Sequence, residues 1–310
     1  MRILDAILTN LRPFMMLTAM SAGILLYRPI SYVDDLAHNQ IAPALIFLML
    51  FVTFCKVHLR DLRFTKLQLW LILFQLIAAP ASYYLFLPFG DLMAQGAMIC
   101  FLAPIAMGAV AIGALLGANI STLASYSLVC NLTMAFIAPY YLDMFGNGEC
   151  TFAQILSRVV PLLLSPLIAA QLLKRLWAAA ARWISDHSQM SFYMWLFSMF
   201  ITLSRTTNYI VETRADIALS TGMGLALVAL IACLAQYAAG RVIGNKCGDK
   251  VAGAQSLGQK NTVLAVWLAQ TFLFPVSSIA PTAYIIWQNL VNSYQIYRHD
   301  RLLANQKPLK

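Results

Sequence analysis

The sequence predicts an all-α membrane protein of ten transmembrane helices, built as two inverted repeats of five. Three observations carry that prediction. Of 310 residues, 61% are hydrophobic and 11% charged, against roughly half apolar and a quarter charged in a soluble domain. The apolar residues fall into ten runs, most of them long enough to cross about 30 Å of hydrocarbon. The basic residues concentrate between alternate runs, as the positive-inside rule requires.

The runs lie at 12–27, 40–56, 66–89, 92–118 and 121–144, then at 152–173, 190–204, 216–240, 251–274 and 277–297. The first, flanked by Arg2 and Arg12, also has the make-up of a signal-peptide core. Its removal would leave nine crossings and an external N-terminus, which the charges permit. With Met1 cytoplasmic, the inside segments hold 16 of the 21 basic residues, among them Arg60, Arg63, Lys174, Arg175, Lys246, Lys307 and Lys310. The outside segments hold Arg28, Arg158, Arg205 and Arg214 among the acidic Asp34, Asp35, Asp91, Asp143, Glu149, Glu212 and Asp216. Both termini are therefore expected in the cytoplasm, and the setting read for the chain is a bacterial inner membrane.

The net charge of +9 is a topology signal and calls for no nucleic acid. Six single cysteines, Cys55, Cys100, Cys130, Cys150, Cys233 and Cys247, show no metal-type pairing and read as small packing residues. The sequence offers no HExxH, no P-loop, no serine elbow in a strand context and no deep carboxylate pair. No enzyme, cofactor or metal site is expected, and nothing demands more than a monomer.

Five spans per half, 1–147 and 148–310, invert the second half relative to the first, the pattern of secondary transporters. In each half the fourth span is rich in small residues: APIAMGAVAIGALLGAN from Ala103 and AGAQSLGQKN from Ala252. The second stretch holds Lys260, the sole basic residue not assigned to a loop or span end, and every acid and histidine is read at a loop or span end. A lysine at membrane depth costs several kcal/mol unless a partner or water-filled cavity receives it, so it defaults to a functional residue. The alternative is that it lies nearer an interface and snorkels. Gly258, Gln259 and Lys260 suit an unwound turn, with Ser256, Gln259 and Asn261 supplying polar partners to freed backbone groups.

Gln75 is a lone amide in the third span, five residues before Pro80; it is a ligand or an interhelical hydrogen bond. In the fifth span Ser127 and Asn131 share a helix face; they face a ligand or bond back to their own helix. Tyr83, Tyr84, Tyr140, Tyr141, Tyr294 and Tyr297 form an interfacial belt.

These segments resemble the bile acid:sodium symporter family and its wider group of ten-span carriers. The matching stretches are FQLIAAPASYYL, VVPLLLSPLIAAQLL and QYAAGRVIGNKCGDKVAGAQSLGQKN. The resemblance implies a core domain of spans three to five and eight to ten, a panel domain of the other four, and broken fourth and ninth helices that cross at the substrate site. It also implies sodium ligands that this chain lacks. Ser256 and Lys260 stand where the family carries a glutamate and a glutamine, and Ala109 and Val110 where it carries serine and asparagine. Gln75, Gly258 and Asn261 match. Sodium needs several oxygens, and at 4 Å an ammonium repels it by about 4 kcal/mol at an effective dielectric of 20.

The expectation is a secondary carrier of a small organic anion working by alternating access, sodium-independent, with the lysine ammonium standing in for a sodium ion. A lysine that stays charged makes it a facilitator or exchanger; one that loses its proton when desolvated couples transport to protons. Sodium-coupled symport of a bile-acid-like anion is the alternative, and a passive anion channel or a membrane receptor the readings of another class.

Overall fold

Backbone inside a bilayer must satisfy its own N–H and C=O groups, because no water is there to do so. The chain does this with helices. A computed structural model describes residues 18–56, 65–106, 108–146, 148, 150–187, 190–212 and 218–306. Arg2, Arg12, Arg60, Arg63, Lys307 and Lys310 of the inside charge pattern, and Glu149, Arg214 and Asp216 of the outside one, lie beyond the described residues, as does the start of the first span.

The first described helix, α1, covers 18–25. After Leu26 comes α2 (Tyr27–Leu36), then a turn through His38 and Asn39 with φ of 52° and 59°, and α3 (Ile41–Lys56). Both turn residues are left-handed, which lets the chain bend 83° between α2 and α3. Then follow α4 (Lys66–Phe86), α5 (Asp91–Leu102), α6 (Gly108–Leu115), α7 (Ile120–Phe145), α8 (Phe152–Leu176) and α9 (Ala178–Asp186). The remainder is α10 (Met190–Glu212), α11 (Leu219–Lys246), α12 (Lys250–Gly258), α13 (Thr262–Phe272) and α14 (Ile279–Gln306).

Four of these are long and apolar enough to cross a bilayer unaided: α4 with its 3₁₀ tail, α7, α8 and α11. The bent α2–α3 pair passes the same measure when taken together. The predicted fourth and ninth spans are each split, into α5 with α6 and α12 with α13. Prolines persist inside α4, α7 and α8 at Pro80, Pro139, Pro161 and Pro166.

Two expectations are corrected. The stretch after Tyr27, read as an external loop, is the helix α2, and its Asp34 is 1% exposed rather than solvated. The seventh span, read as ending at Ser204, continues helical to Glu212. In both, charged residues were taken as the end of a helix, whereas an acid and a base can stay helical by pairing.

Small residues set the closest packing. Gly240 and Gly244 of α11 lie against Gly253 of α12, and a Cβ on Gly240 or Gly253 would strike the other's carbonyl. Asp249 opens α12 as its N-cap, accepting from Ala252 N at 2.8 Å, and its second oxygen accepts from Asn119 N at 2.9 Å, tying the α6–α7 turn to α12.

Replacing Gly253 with alanine should cost about 1–3 kcal/mol of stability through overpacking against backbone, read as a lower melting temperature in detergent. Gly222→Ala, where nothing lies within 4 Å, should leave it unchanged or slightly raised; equal behaviour of the two would contradict the close approach.

Candidate functional site

A broken helix leaves carbonyls without intrahelical donors at one end and N–H groups without acceptors at the other. Here two breaks meet and partly satisfy each other. Ile105, in the gap between α5 and α6, pairs antiparallel with Lys260, in the gap between α12 and α13. Ala106 N donates to Gln259 O at 2.8 Å and Asn261 N donates to Pro104 O at 2.8 Å. The strand-like bridge lies among helices.

The carbonyls at the end of α5 are then matched one by one. Ile99 O accepts from Ala103 N at 3.1 Å. Cys100 O accepts from Gln236 Nε2 at 3.2 Å, and Phe101 O from Lys260 Nζ at 3.1 Å. Leu102 O and Ala103 O accept both protons of Gln75 Nε2, at 3.1 and 2.8 Å. The other end of that amide is also used, since Tyr126 Oη donates to Gln75 Oε1 at 3.1 Å and Cys130 Sγ at 3.5 Å. Gln75 thereby makes all four hydrogen bonds an amide side chain can make. Of its two predicted roles, the geometry displays the interhelical bond.

Lys260 is 1% exposed, so it does not snorkel. Its ammonium sits at the C-terminal end of α5, where the aligned peptide dipoles present negative charge. Its backbone N–H donates to Gln288 Oε1 at 3.0 Å. An ammonium has three donors, and among the described residues Phe101 O is the one protein acceptor that Nζ reaches. Among those residues the pair within ion-pairing distance is Arg205 with Asp34, so no carboxylate neutralises Lys260.

The other predicted site residues divide. Gln259 Oε1 accepts from Tyr237 Oη at 3.1 Å and from Asn292 Nδ2. Asn261 caps α13, its Oδ1 accepting from Leu264 N at 3.2 Å. Gly258 has no left-handed φ, so the backbone freedom expected of it is not used. It is needed because any Cβ would strike the Tyr237 ring, and its carbonyl accepts from Tyr284 Oη at 2.9 Å. Ser256 is fully buried with an unpartnered Oγ. Asn131 Nδ2 bonds back to Ser127 O at 2.7 Å, leaving Oδ1 buried and unpartnered. Ser127 is buried beside it.

Sequence reasoning missed the supporting face of α14. Tyr284, Gln288 and Asn292, four residues apart, form one helix stripe that reaches Gly258 O, Lys260 N and Gln259 Oε1 in turn. Gln255 Nε2 extends it to Asn292 Oδ1 at 3.2 Å and Gln295 Oε1 at 3.0 Å. The four-residue period of polar groups in an apolar span was the available signal.

The sequence profile of the SBF-like CPA transporter family matches residues 25–290. The chain belongs to that family. A comparison with curated proteins finds no match. The SBF-like assignment covers both breaks, and with the long apolar helices it makes the protein an integral membrane protein of a transporter family.

Gln75→Leu should strand two buried carbonyls and the Tyr126 hydroxyl, at about 1–3 kcal/mol for each group left unpaired. Thermal unfolding in detergent should show a marked drop; a variant as stable as the native protein would show that those groups find other partners.

Proposed function

We propose that this SBF-like CPA transporter is a secondary carrier that moves a small organic anion by alternating access, without sodium. The observation that carries the reading is Lys260: a buried ammonium at the meeting point of two broken helices, with donors to spare and, among the described residues, no carboxylate to balance it. A buried charge calls for a counter-charge, and an anionic substrate supplies one. Half-helix ends aimed at a midplane site are how carriers hold charged cargo.

Sodium fits poorly. The Phe101, Leu102 and Ala103 carbonyls that could ligate it already accept from Lys260 and Gln75, and the lysine nitrogen is itself a tethered cation in that place. Ser256, with its buried unpartnered hydroxyl, and Asn131, with its unpartnered carbonyl, remain as further substrate contacts beside Gln259, Asn261 and Ser127. Gly258 keeps the space for Tyr237.

In this reading the chain crosses a bacterial inner membrane ten times with both termini cytoplasmic, as two inverted five-helix repeats. α3 packs on α8 and α10, α11 packs on α5, α12 and α14, and α7 lies against α8; in this reading the α7–α8 contact is the seam along which the two bodies rock. The ammonium is balanced while the anion is bound. Loss of a proton on emptying would move substrate and proton together, which makes the carrier proton-coupled.

The test is uptake of a panel of labelled organic anions into proteoliposomes, with sodium and proton gradients imposed separately. The native protein should take up an anion equally with and without sodium and faster with an inward proton gradient. Lys260→Met should lose at least tenfold in uptake. Sodium-dependent uptake would establish the symporter alternative, and full activity of Lys260→Met would remove the lysine from the mechanism.

A further inference from the structure

A cavity of about 200 Å³ lies between α2 and α10, with Gln270 and Pro275 also in its lining. Its chemistry is unlike that of the crossing. Gln270 lies eight residues along α13 from its first residue Thr262, about 12 Å at 1.5 Å per residue, and neither Lys260 nor any other residue of the two breaks lines the cavity, so the two sites are separate.

Asp34 and Ser31 form the buried part of the cavity, with Asp35 and Glu212 exposed on its rim. Arg205 lies within it, its Nε 3.2 Å from Asp34 Oδ2, the two side chains 22% and 1% exposed. That contact balances charge without making a hydrogen bond: both Asp34 oxygens and the Ser31 hydroxyl oxygen are buried with no hydrogen-bond partner. A carboxylate removed from water requires donors, and the lining holds one guanidinium against three carboxylates. Arg205 supplies one positive charge but no hydrogen bond to these buried oxygens, so N–H donors to Asp34 and Ser31 are what the cavity leaves unfilled. Among the described residues the acids do not converge as a metal ion would require, and the volume exceeds that of a bare ion.

We propose that this cavity binds a small organic ammonium ion, a primary alkylamine in its protonated form. Its donors meet Asp34 and Ser31 while Asp35 and Glu212 raise its local concentration. An ammonium has three donors and no acceptor, which matches a set of unmet acceptors. The site stands independently of the anion reading at Lys260.

The experiment uses the purified full-length protein in a neutral detergent at fixed ionic strength, titrated with ethylammonium chloride and followed by calorimetry and by melting temperature. Saturable binding should raise the melting temperature, and sodium chloride or sodium acetate should not reproduce it. Asp34→Asn should weaken ethylammonium binding more than about tenfold, as loss of a charge-assisted hydrogen bond does, and Ser31→Ala by about threefold. Should Asp34→Asn fail to give monodisperse protein, Ser31→Ala and Glu212→Gln decide the matter, each weakening binding. Lys260→Met should bind as the native protein does, which separates this site from the crossing. The proposal is overturned by no saturable binding, by equal stabilisation with sodium chloride, by preference for acetate, which would make Arg205 the anchor of an anion site, or by unchanged affinity in the cavity variants.

Discussion

The structure depends on one constraint: a helix interrupted where no water reaches must have its freed backbone groups met by other parts of the protein. At the end of α5 that requirement is met by a lysine ammonium and a single glutamine amide, which take Phe101, Leu102 and Ala103. The two gaps also meet each other through the Ile105–Lys260 bridge. Each break would be costly alone. Together they produce a short extended crossing in which every neighbouring element, α4, α7, α11 and α14, contributes a polar side chain.

This arrangement explains why a positive charge is tolerated deep in an apolar protein. The end of α5 presents oxygen atoms with aligned dipoles behind them, and such an end favours a cation. A metal ion could serve there, but a lysine does so while remaining attached to the chain. The attachment fixes the nitrogen to α12–α13, so Lys260 links the two broken helices through Phe101 O without a solute cation. An ammonium held this way still has donors to offer, which is why the proposed carrier can use one group both to brace the crossing and to attract an anion.

The legible part of the sequence was whatever broke a strong regularity. Lys260 stood out because it alone interrupted the charge pattern, and Gln75 because it was a lone amide in an apolar run. The paired weak points were visible through their small residues, and they lie where the chain breaks. Other features were hidden because they depend on long-range partners. Gly258 was read as a backbone requirement, yet its neighbour Tyr237 decides it, a contact with α11 that local sequence does not disclose. Asn131 follows the backbone-bonding habit open to a polar residue in a helix. Asp34 was placed in solvent because acids ordinarily mark loops, and only its pairing with Arg205, far along the chain, reveals a buried helix end. The α14 stripe was readable in principle through its four-residue period, but each of its members looks ordinary singly.

The central claim is that the Lys260 ammonium receives the anion. It is tested most directly by determining the structure with a bromine-labelled carboxylate bound. The account predicts a carboxylate oxygen at about 2.7–3.2 Å from Lys260 Nζ, with the crossing of α5–α6 and α12–α13 intact around it. A carboxylate found elsewhere, with Nζ still confined to Phe101 O, would contradict it.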